Sequence, residues 1–131
     1  MSKSKHLSAR VFKTAWFAKA ARKAHLDDVE LCLAIRETMQ GQVDDLGGGV
    51  FNKRLNDNMH RSIILAKGGR YWVYEYLFVK KDRGNIADDE LLAFRTLAKA
   101  YAGLTDKQVE QLLQDKDLTE VCHDDKAKIQ E

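Results

Sequence analysis

The stretch from residue 50 to residue 79 constrains the fold most, because it holds three β-prone runs separated by turn-forming residues. The runs are Val50–Leu55, residues 61–66 and residues 70–79. Gly68 and Gly69 supply the two positive-φ positions that a two-residue hairpin turn needs, whereas residues 56–60 form a longer loop. The pattern predicts an antiparallel meander of three strands.

The third run is apolar or aromatic on both faces, apart from Glu75. Such a run is typical of a central strand that has neighbours on both sides. We expect helices to cover one face of this strand. The other face is then available to present tyrosine and tryptophan side chains.

Two helices precede the meander. A short strand ends at Thr14, which can cap the helix Ala15–Lys23. A second helix starts after either Asp27 or Asp28 and stops near Gly41, with apolar residues recurring at helical spacing. Two helices in succession predict a helical hairpin.

Two more helices follow the meander. The first begins near Ala87 with Asn85 as its N-cap, and its acidic first turn complements the helix dipole. Its buried stripe extends to Tyr101, and Gly103 ends it. Thr105 then opens a capping box for a short second helix.

A chain of 131 residues fits one domain with a single core. We assign residues 1–121 to this domain and expect residues 122–131 to be a frayed polar tail. The predicted fold class is α+β, with two N-terminal helices packed on a twisted antiparallel sheet and further helices at the C-terminus. No apolar run approaches the ~18 residues of a membrane span, and no apolar signal core follows Met1, so we expect a cytoplasmic protein.

The cysteines and glycines argue against a metal or cofactor site. Cys32 and Cys122 do not make a disulfide framework, and only Cys122 has a potential zinc ligand beside it, His123. The glycine-rich segment 41–49 must turn the chain, but it lacks the Lys-Ser or Lys-Thr of a phosphate-binding loop. We therefore expect no cofactor and no metal.

The net charge of +2 hides a strong segregation along the chain. Residues 1–25 carry +7 and residues 50–84 carry +5, whereas residues 26–49 and 85–131 carry −5 each. Basic blocks separated by acidic helices predict one surface that binds a polyanion. The alternative is an ordinary solvated sheet edge, where lysines prevent aggregation.

Cations and aromatic residues concentrate on the meander. Arginine binds phosphate through a planar fork and lysine through a compact charge, and a tyrosine ring can stack on an unpaired base. Cleavage of RNA without metal needs a base for the 2′-hydroxyl proton, and a lysine can serve if neighbouring cations lower its pKa. Lys53 beside Arg54, or Lys80 beside Lys81, meets that condition. The candidate catalytic residues are Lys53, Arg54, Arg61 and Lys80, and the candidate RNA-binding residues are Lys81, Arg83, His60, Tyr74 and Tyr76.

Several segments together resemble the RelE/HigB branch of the RelE/ParE toxin superfamily. They are LGGGVFNKR at 46–54, the strand that opens with Arg61, and YLFVKKDRGNI at 76–86 followed by Asp-Glu-Leu at 89–91. The resemblance covers about residues 11–121. It implies a RelE-like fold and the toxin of a type II toxin–antitoxin system, which cleaves messenger RNA, commonly in the ribosomal A site.

The resemblance places functional residues at Lys53, Arg54, Arg61 and Lys80. It also implies a cognate antitoxin, often a helix-turn-helix repressor, that binds operator DNA together with the toxin; no membrane partner is expected. The sequence departs from the family in two ways. The loop at 56–60 is shorter than the Gly/Ser-rich linker that relatives often have. Tyr101 lies on the apolar stripe of a helix, so it is more suited to the core than to the family's aromatic acid/base role. The alternatives are a ParE-like inhibitor of DNA gyrase and a non-catalytic nucleic-acid-binding relative.

Overall fold

The structure, a computed structural model, describes residues 9–122. Within this range the chain forms six strands and four helices. In chain order they are β1 (Arg10–Thr14), α1 (Ala15–Lys23), α2 (Asp28–Met39), β2 (Asp44–Asp45), β3 (Val50–Leu55), β4 (His60–Leu65), β5 (Tyr71–Val79), α3 (Asp88–Ala102), α4 (Asp106–Gln114) and β6 (Leu118–Glu120). No helix among these residues is long and apolar enough to cross a bilayer.

All six strands of the described chain belong to one sheet in the order β2-β3-β4-β5-β1-β6. Strands β3, β4 and β5 form the predicted antiparallel meander. Strand β1 lies parallel to β5, while β6 pairs antiparallel with β1. The α+β class is confirmed, and the short edge strands β2 and β6 are additions that the sequence pattern did not predict.

Helices α1 and α2 pack on one face of the sheet, which we call the hairpin face. Thr14 accepts a hydrogen bond from the Phe17 amide, and Asp27 accepts one from the Glu30 amide, so both helices carry an N-cap. The sequence left Asp27 and Asp28 as alternative N-caps of α2, and in the structure the N-cap is Asp27. The core on this face joins both helices to the central strands through residues such as Phe17, Leu31, Ile35, Ile64 and Tyr74.

Helices α3 and α4 cover much of the opposite face, which we call the C-terminal face. Residues of α3 pack on Val50, Ile63 and Leu65, and residues of α4 pack on Phe12 and Val73. The expectation of an open aromatic face on β5 is therefore wrong. Both faces of a strand as apolar as β5 need cover, and the C-terminal helices supply the second layer.

Helix α3 begins differently from the sequence prediction. Its N-cap is Ala87, and the Glu90 carboxylate accepts a hydrogen bond from the Ala87 amide at 2.7 Å. Asn85, the predicted cap, instead accepts a hydrogen bond from the next amide, that of Ile86. The capping box that Thr105 opens for α4 is confirmed.

Cys32 in α2 and Cys122 after β6 form a disulfide, with their Cα atoms 5.1 Å apart. No local pattern in the sequence indicates this pairing, because 90 residues separate the two cysteines. Strand β6 brings them together: it pairs with β1, and the Val121 amide donates to the Val11 carbonyl just before Cys122. The rest of the predicted frayed tail, residues 123–131, lies outside the described residues.

Candidate nucleic-acid interface

One cross-strand row on the C-terminal face holds two arginines and a phenylalanine. Arg54 on β3 lies opposite Arg61 on β4, and Arg61 lies opposite Phe78 on β5. Directly opposite residues in antiparallel strands share a face and lie close together. Arg54 is exposed, at the end of the sheet where β3 and β4 meet the loop of residues 56–59. We call these three residues the arginine row.

The loop before β4 fixes the Arg61 side chain. Arg61 is only 9% exposed, and its Nη1 donates to the Asn58 carbonyl at 3.3 Å and to Asn58 Oδ1 at 2.6 Å. Asn58 holds a positive φ of 72°, a conformation that asparagine tolerates better than most residues. A guanidinium has five N–H donors, so Arg61 keeps donors to offer a phosphate after these bonds are made.

Arg83 closes the row on the β5 side. Its guanidinium lies over the Phe78 ring, 5.5 Å from the centroid. It also donates to the Asn85 carbonyl and to the Glu90 carboxylate. The Glu90 carboxylate raises the pKa of Arg83, and Arg83 in turn lowers the pKa of Glu90. Because Glu90 already balances its charge, Arg83 is better placed to hold Phe78 than to bind a phosphate.

Lys80 extends the arginine row beyond the end of β5. Its amide donates to the Met59 carbonyl at 3.0 Å, which continues the β4–β5 ladder by one residue. Since side chains alternate between faces along a strand, Lys80 falls on the face of Phe78, two residues before it. Both Lys80 and its neighbour Lys81 are exposed. Arg54, Arg61 and Lys80 thus form a cationic group at one end of the sheet.

Tyr76 lies on β5 next to the row and is half-buried. Its ring stacks on Trp16, with the centroids 5.1 Å apart, and contacts the rings of Phe78 and Phe94 at about 6 Å. These contacts already occupy much of the ring. Tyr76 therefore supports the row from one side.

Lys53 lies on the opposite side of the sheet from the row. Its Nζ forms an ion pair with Glu37 at 2.9 Å and donates to the Gln42 carbonyl at 2.8 Å, and its side chain is 10% exposed. Adjacent residues in a strand point to opposite faces, so the side chains of Lys53 and Arg54 leave the sheet on different sides, although both residues line one hollow. The two side chains do not form the catalytic pair that their adjacency in the sequence suggests, and Lys53 ties α2 to the sheet.

Two other candidates also face the N-terminal helices. Tyr74 is fully buried, its hydroxyl donates to the Leu31 carbonyl at 2.6 Å, and burial raises its pKa. Its predicted role as a base-stacking ring is excluded. His60 lies one residue before Arg61 and hence on the hairpin face, where its Nδ1 is 3.2 Å from Asn56 Nδ2.

Asn52 shares the face of Arg54 and was not predicted as a site residue. It is 5% exposed, and its Nδ2 donates to Asn85 Oδ1 at 3.4 Å. Its Oδ1 is buried and has no hydrogen-bond partner among the described residues. A hollow of about 320 Å³ adjoins Asn52, Arg54 and Asp44. A polar residue two positions from an arginine within an apolar strand is the signal that could have identified Asn52.

Glu75 and Tyr101 form a half-buried pair on the C-terminal face. Glu75 sits at the register shift between Ile63 and Ile64, and the Tyr101 hydroxyl donates to its carboxylate at 3.0 Å. Tyr101, on α3, is partly buried and packs against the core clusters of the C-terminal face, in agreement with the prediction that it faces the core. Burial raises the pKa of Glu75, while the hydrogen bond from Tyr101 acts in the opposite direction.

We expect the Glu75→Gln substitution to stabilise the protein at pH 7 and to leave it unchanged at low pH. A raised carboxyl pKa means that the stabilising contribution of Glu75 is full below its ordinary pKa and is lost as pH rises through the folded value. The glutamine oxygen can still accept from Tyr101. Thermal melts of the wild type and of Glu75→Gln, from low pH to pH 7, test the expectation. Equal Tm values of the two proteins at pH 7 would contradict it.

The geometry suits binding of a phosphate and stabilisation of the negative charge that develops on it. Fixed cations at such a position are worth a few kcal/mol to a transition state. Within residues 9–122 no group of three or more His, Cys, Asp and Glu residues could hold a metal ion.

Comparison with known proteins gives one match. A family model described as RelE toxin of RelE / RelB toxin-antitoxin system matches residues 9–121. The matched range includes the arginine row, Lys80 and all four helices. No curated protein and no solved structure matches the chain.

Proposed function

Since the chain belongs to the RelE toxin family, we propose that it is a metal-independent endoribonuclease that cleaves messenger RNA on the ribosome. Family membership makes it the toxin of a toxin–antitoxin system and implies a cognate antitoxin as its partner. The proposal includes a cytoplasmic location, where messages are translated. It also includes joint binding of operator DNA by the toxin and a helix-turn-helix antitoxin.

The arginine row carries this proposal. Arg54 and Arg61 are opposite each other on one face, and Lys80 extends the same face. Two guanidinium forks and an ammonium can bind the scissile phosphate and the phosphate next to it. Phe78 is buried in the row, where the Arg83 guanidinium covers its ring, and so helps to hold the row in place.

The proposed reaction is attack of the ribose 2′-oxygen on the adjacent phosphorus. It forms a 2′,3′-cyclic phosphate and releases the next nucleotide with a 5′-hydroxyl, whose oxygen takes its proton from solvent. Arg54 and Arg61 stabilise the negative charge that builds on the phosphorus oxygens. Lys80 is the remaining lysine candidate for the base, because Lys53 lies on the other face.

The ribosome completes the proposed site. Three cations are few for holding a single strand, since affinity for nucleic acid grows with each phosphate neutralised. A ribosome holds the message in an extended, unpaired form and presents one codon at a time. The toxin then needs only to bind the phosphates at the cleavage position, a task that the short arginine row fits.

We expect Arg54→Ala to lower message cleavage by about a hundredfold or more, because it removes one cation from the transition state. Arg54 is exposed, so the substitution should not unfold the chain. The measurement is induction of the toxin alone in bacteria, followed within minutes by mapping of message 5′ ends. Lys99→Ala is the matched control, since Lys99 is an exposed cation on α3.

Cleavage that is phased to codons in the wild type and in Lys99→Ala, and lost in Arg54→Ala, supports the proposal. Wild-type cleavage by the Arg54→Ala variant would overturn the role of the row. Growth arrest with intact messages would instead favour the gyrase inhibitor. Absence of arrest would favour a non-catalytic relative.

A further inference from the structure

An exposed side-chain amide, that of Asn85, lies beside the arginine row. Asn85 belongs to the segment between β5 and α3. Asn52 contacts it from β3, and Asn52 lies two residues before Arg54 on the same face. Two residues of a strand span about 6.6 to 6.8 Å. The Asn85 amide is therefore only one step along the strand from the cations of the row.

The backbone of Asn85 is fixed by the residues around it. Arg83 Nε donates to the Asn85 carbonyl at 3.1 Å, and the same guanidinium is bonded to the Glu90 carboxylate. That guanidinium also lies over the Phe78 ring of the arginine row. Asn85 is thus connected to the row from two sides, through Asn52 on β3 and through Arg83 on the β5 side. Support of this kind holds a recognition group in one geometry.

The hydrogen bonds of Asn85 determine which way its amide points. A backbone N–H can only donate, so the atom that accepts from the Ile86 amide at 2.9 Å is the side-chain oxygen. Asn52 Nδ2 donates to the same oxygen at 3.4 Å. An amide oxygen has two lone pairs, and both are therefore used. Asn85 Nδ2 has no hydrogen-bond partner among residues 9–122, so the exposed amide offers two N–H donors and no acceptor.

Asn52 gives up a hydrogen bond in this arrangement. Its Oδ1 is buried, and no described residue donates to it. A buried acceptor without a partner costs free energy, which an apolar side chain at this position would avoid. Rotating the Asn52 amide by half a turn would bring its oxygen against Asn85 Oδ1, and two acceptors repel each other. The buried asparagine is thus used to orient Asn85.

We propose that Asn85 is a specificity-determining residue that recognises guanine or uracil in the nucleotide next to the phosphate bound by the arginine row. This role rests on the proposed function. Guanine presents the acceptors O6 and N7, and uracil presents O4 as thymine does. An amide that only donates can bond to these atoms. Adenine and cytosine carry an amino group at the corresponding position, and two donors cannot bond to each other.

The arginine row by itself carries no sequence information. It binds phosphates, which are the same in every nucleotide, and sequence is read at the edges of the bases. Those edges are open in an unpaired message. A matched pair of donor and acceptor discriminates against the wrong base by at least about fivefold. Asn85 therefore gives a site of fixed cations a preference for particular cleavage positions.

Mapping of message 5′ ends at single-nucleotide resolution tests this recognition, with Asn85→Asp as the informative variant. The carboxylate keeps one oxygen for the Ile86 amide and Asn52, and it presents a second oxygen, an acceptor, in place of Nδ2. We expect the wild type to favour guanine or uracil by at least about fivefold at one fixed position beside the cut. Asn85→Asp should favour adenine or cytosine at that position.

The matched control is Gln114→Glu, which makes the same change from amide to carboxylate at an exposed residue of α4. It should keep the wild-type preference. The preference is a ratio between bases, so a variant that is only less stable or less active does not change it. An unchanged preference in Asn85→Asp would overturn the inference and would leave Asn85 as a residue that only supports the start of α3.

Binding to ribosomes separates this inference from the nuclease activity. A message whose codon carries 2′-O-methyl riboses cannot be cleaved, because its 2′-oxygens cannot attack. We expect the full chain to bind ribosomes with guanine or uracil at the recognised position at least about fivefold more tightly than those with adenine or cytosine. This preference together with uncut messages in cells would overturn the nuclease alone. Equal binding of all four bases would overturn the role of Asn85, whether or not messages are cut.

Discussion

Reduction of the Cys32–Cys122 disulfide is expected to lower the free energy of unfolding by about 2 to 4 kcal/mol. The bond closes a loop of 90 residues, and a long loop loses much of its conformational entropy in the unfolded chain when it is closed. It also joins α2 on the hairpin face to the segment that follows the edge strand β6.

Guanidinium denaturation with and without a phosphine reductant measures this effect. The midpoint of the wild type should fall on reduction, and the midpoint of Cys122→Ser should be the same in both conditions and equal to that of the reduced wild type. Cys122 is the better residue to replace, because Cys32 is 8% exposed within the core. An unchanged wild-type midpoint would show that the bond adds nothing to stability.

The disulfide bears on the location expected for the protein. Cytosolic thiols are kept reduced, so disulfides there are rare and often redox-sensitive. Rapid alkylation of cells, followed by mass measurement of the toxin, gives the state of both thiols. If both thiols are reduced in cells, the free energy of unfolding of the reduced protein is the relevant measure of its stability there.

Elements that depend on short-range bonds could be predicted from the sequence. Thr14, Asp27 and Thr105 each cap a helix through a hydrogen bond to an amide three residues later. The glycines at 68 and 69 have the predicted positive φ angles of 86° and 74°, but they lie in a five-residue loop, 66–70, and the predicted two-residue turn between β4 and β5 is wrong. These features depend only on residues that are near each other in the chain, so the local sequence pattern is sufficient to predict them.

Contacts between distant segments could not be predicted. Strand β1 enters the sheet beside β5 in a parallel direction, and β6 returns from the C-terminus to pair with β1. The Cys32–Cys122 bond depends on both pairings. Local propensity does not encode which strands become neighbours.

The candidate site was half predictable. Arg54 and Arg61 were identified by charge, and their shared face follows from the register of β3 on β4. Residue type alone favours Lys53 and Tyr74 as site residues, but residue type does not take account of the two-residue period of a strand. That period places both of them against α2, and it places Asn52 with Arg54.

Lys53→Met should destabilise the protein by about 1.5 to 3 kcal/mol while leaving message cleavage intact. The substitution keeps the aliphatic stem but removes the charged donor that bonds the Gln42 carbonyl and Glu37. Glu37 is 41% exposed, so water can solvate its carboxylate after the change and keeps the cost below that of a fully buried pair.

The neighbouring residue gives the matched comparison. Arg54→Ala should leave the urea midpoint unchanged, because its side chain is exposed, and should lower message cleavage by about a hundredfold or more. Each substitution removes one positive charge, but Lys53→Met should change stability and Arg54→Ala should change activity. A mere effect of net charge would be the same for both variants. If Lys53→Met were as stable as the wild type but inactive, Lys53 would act on RNA and the division of the two faces would be wrong.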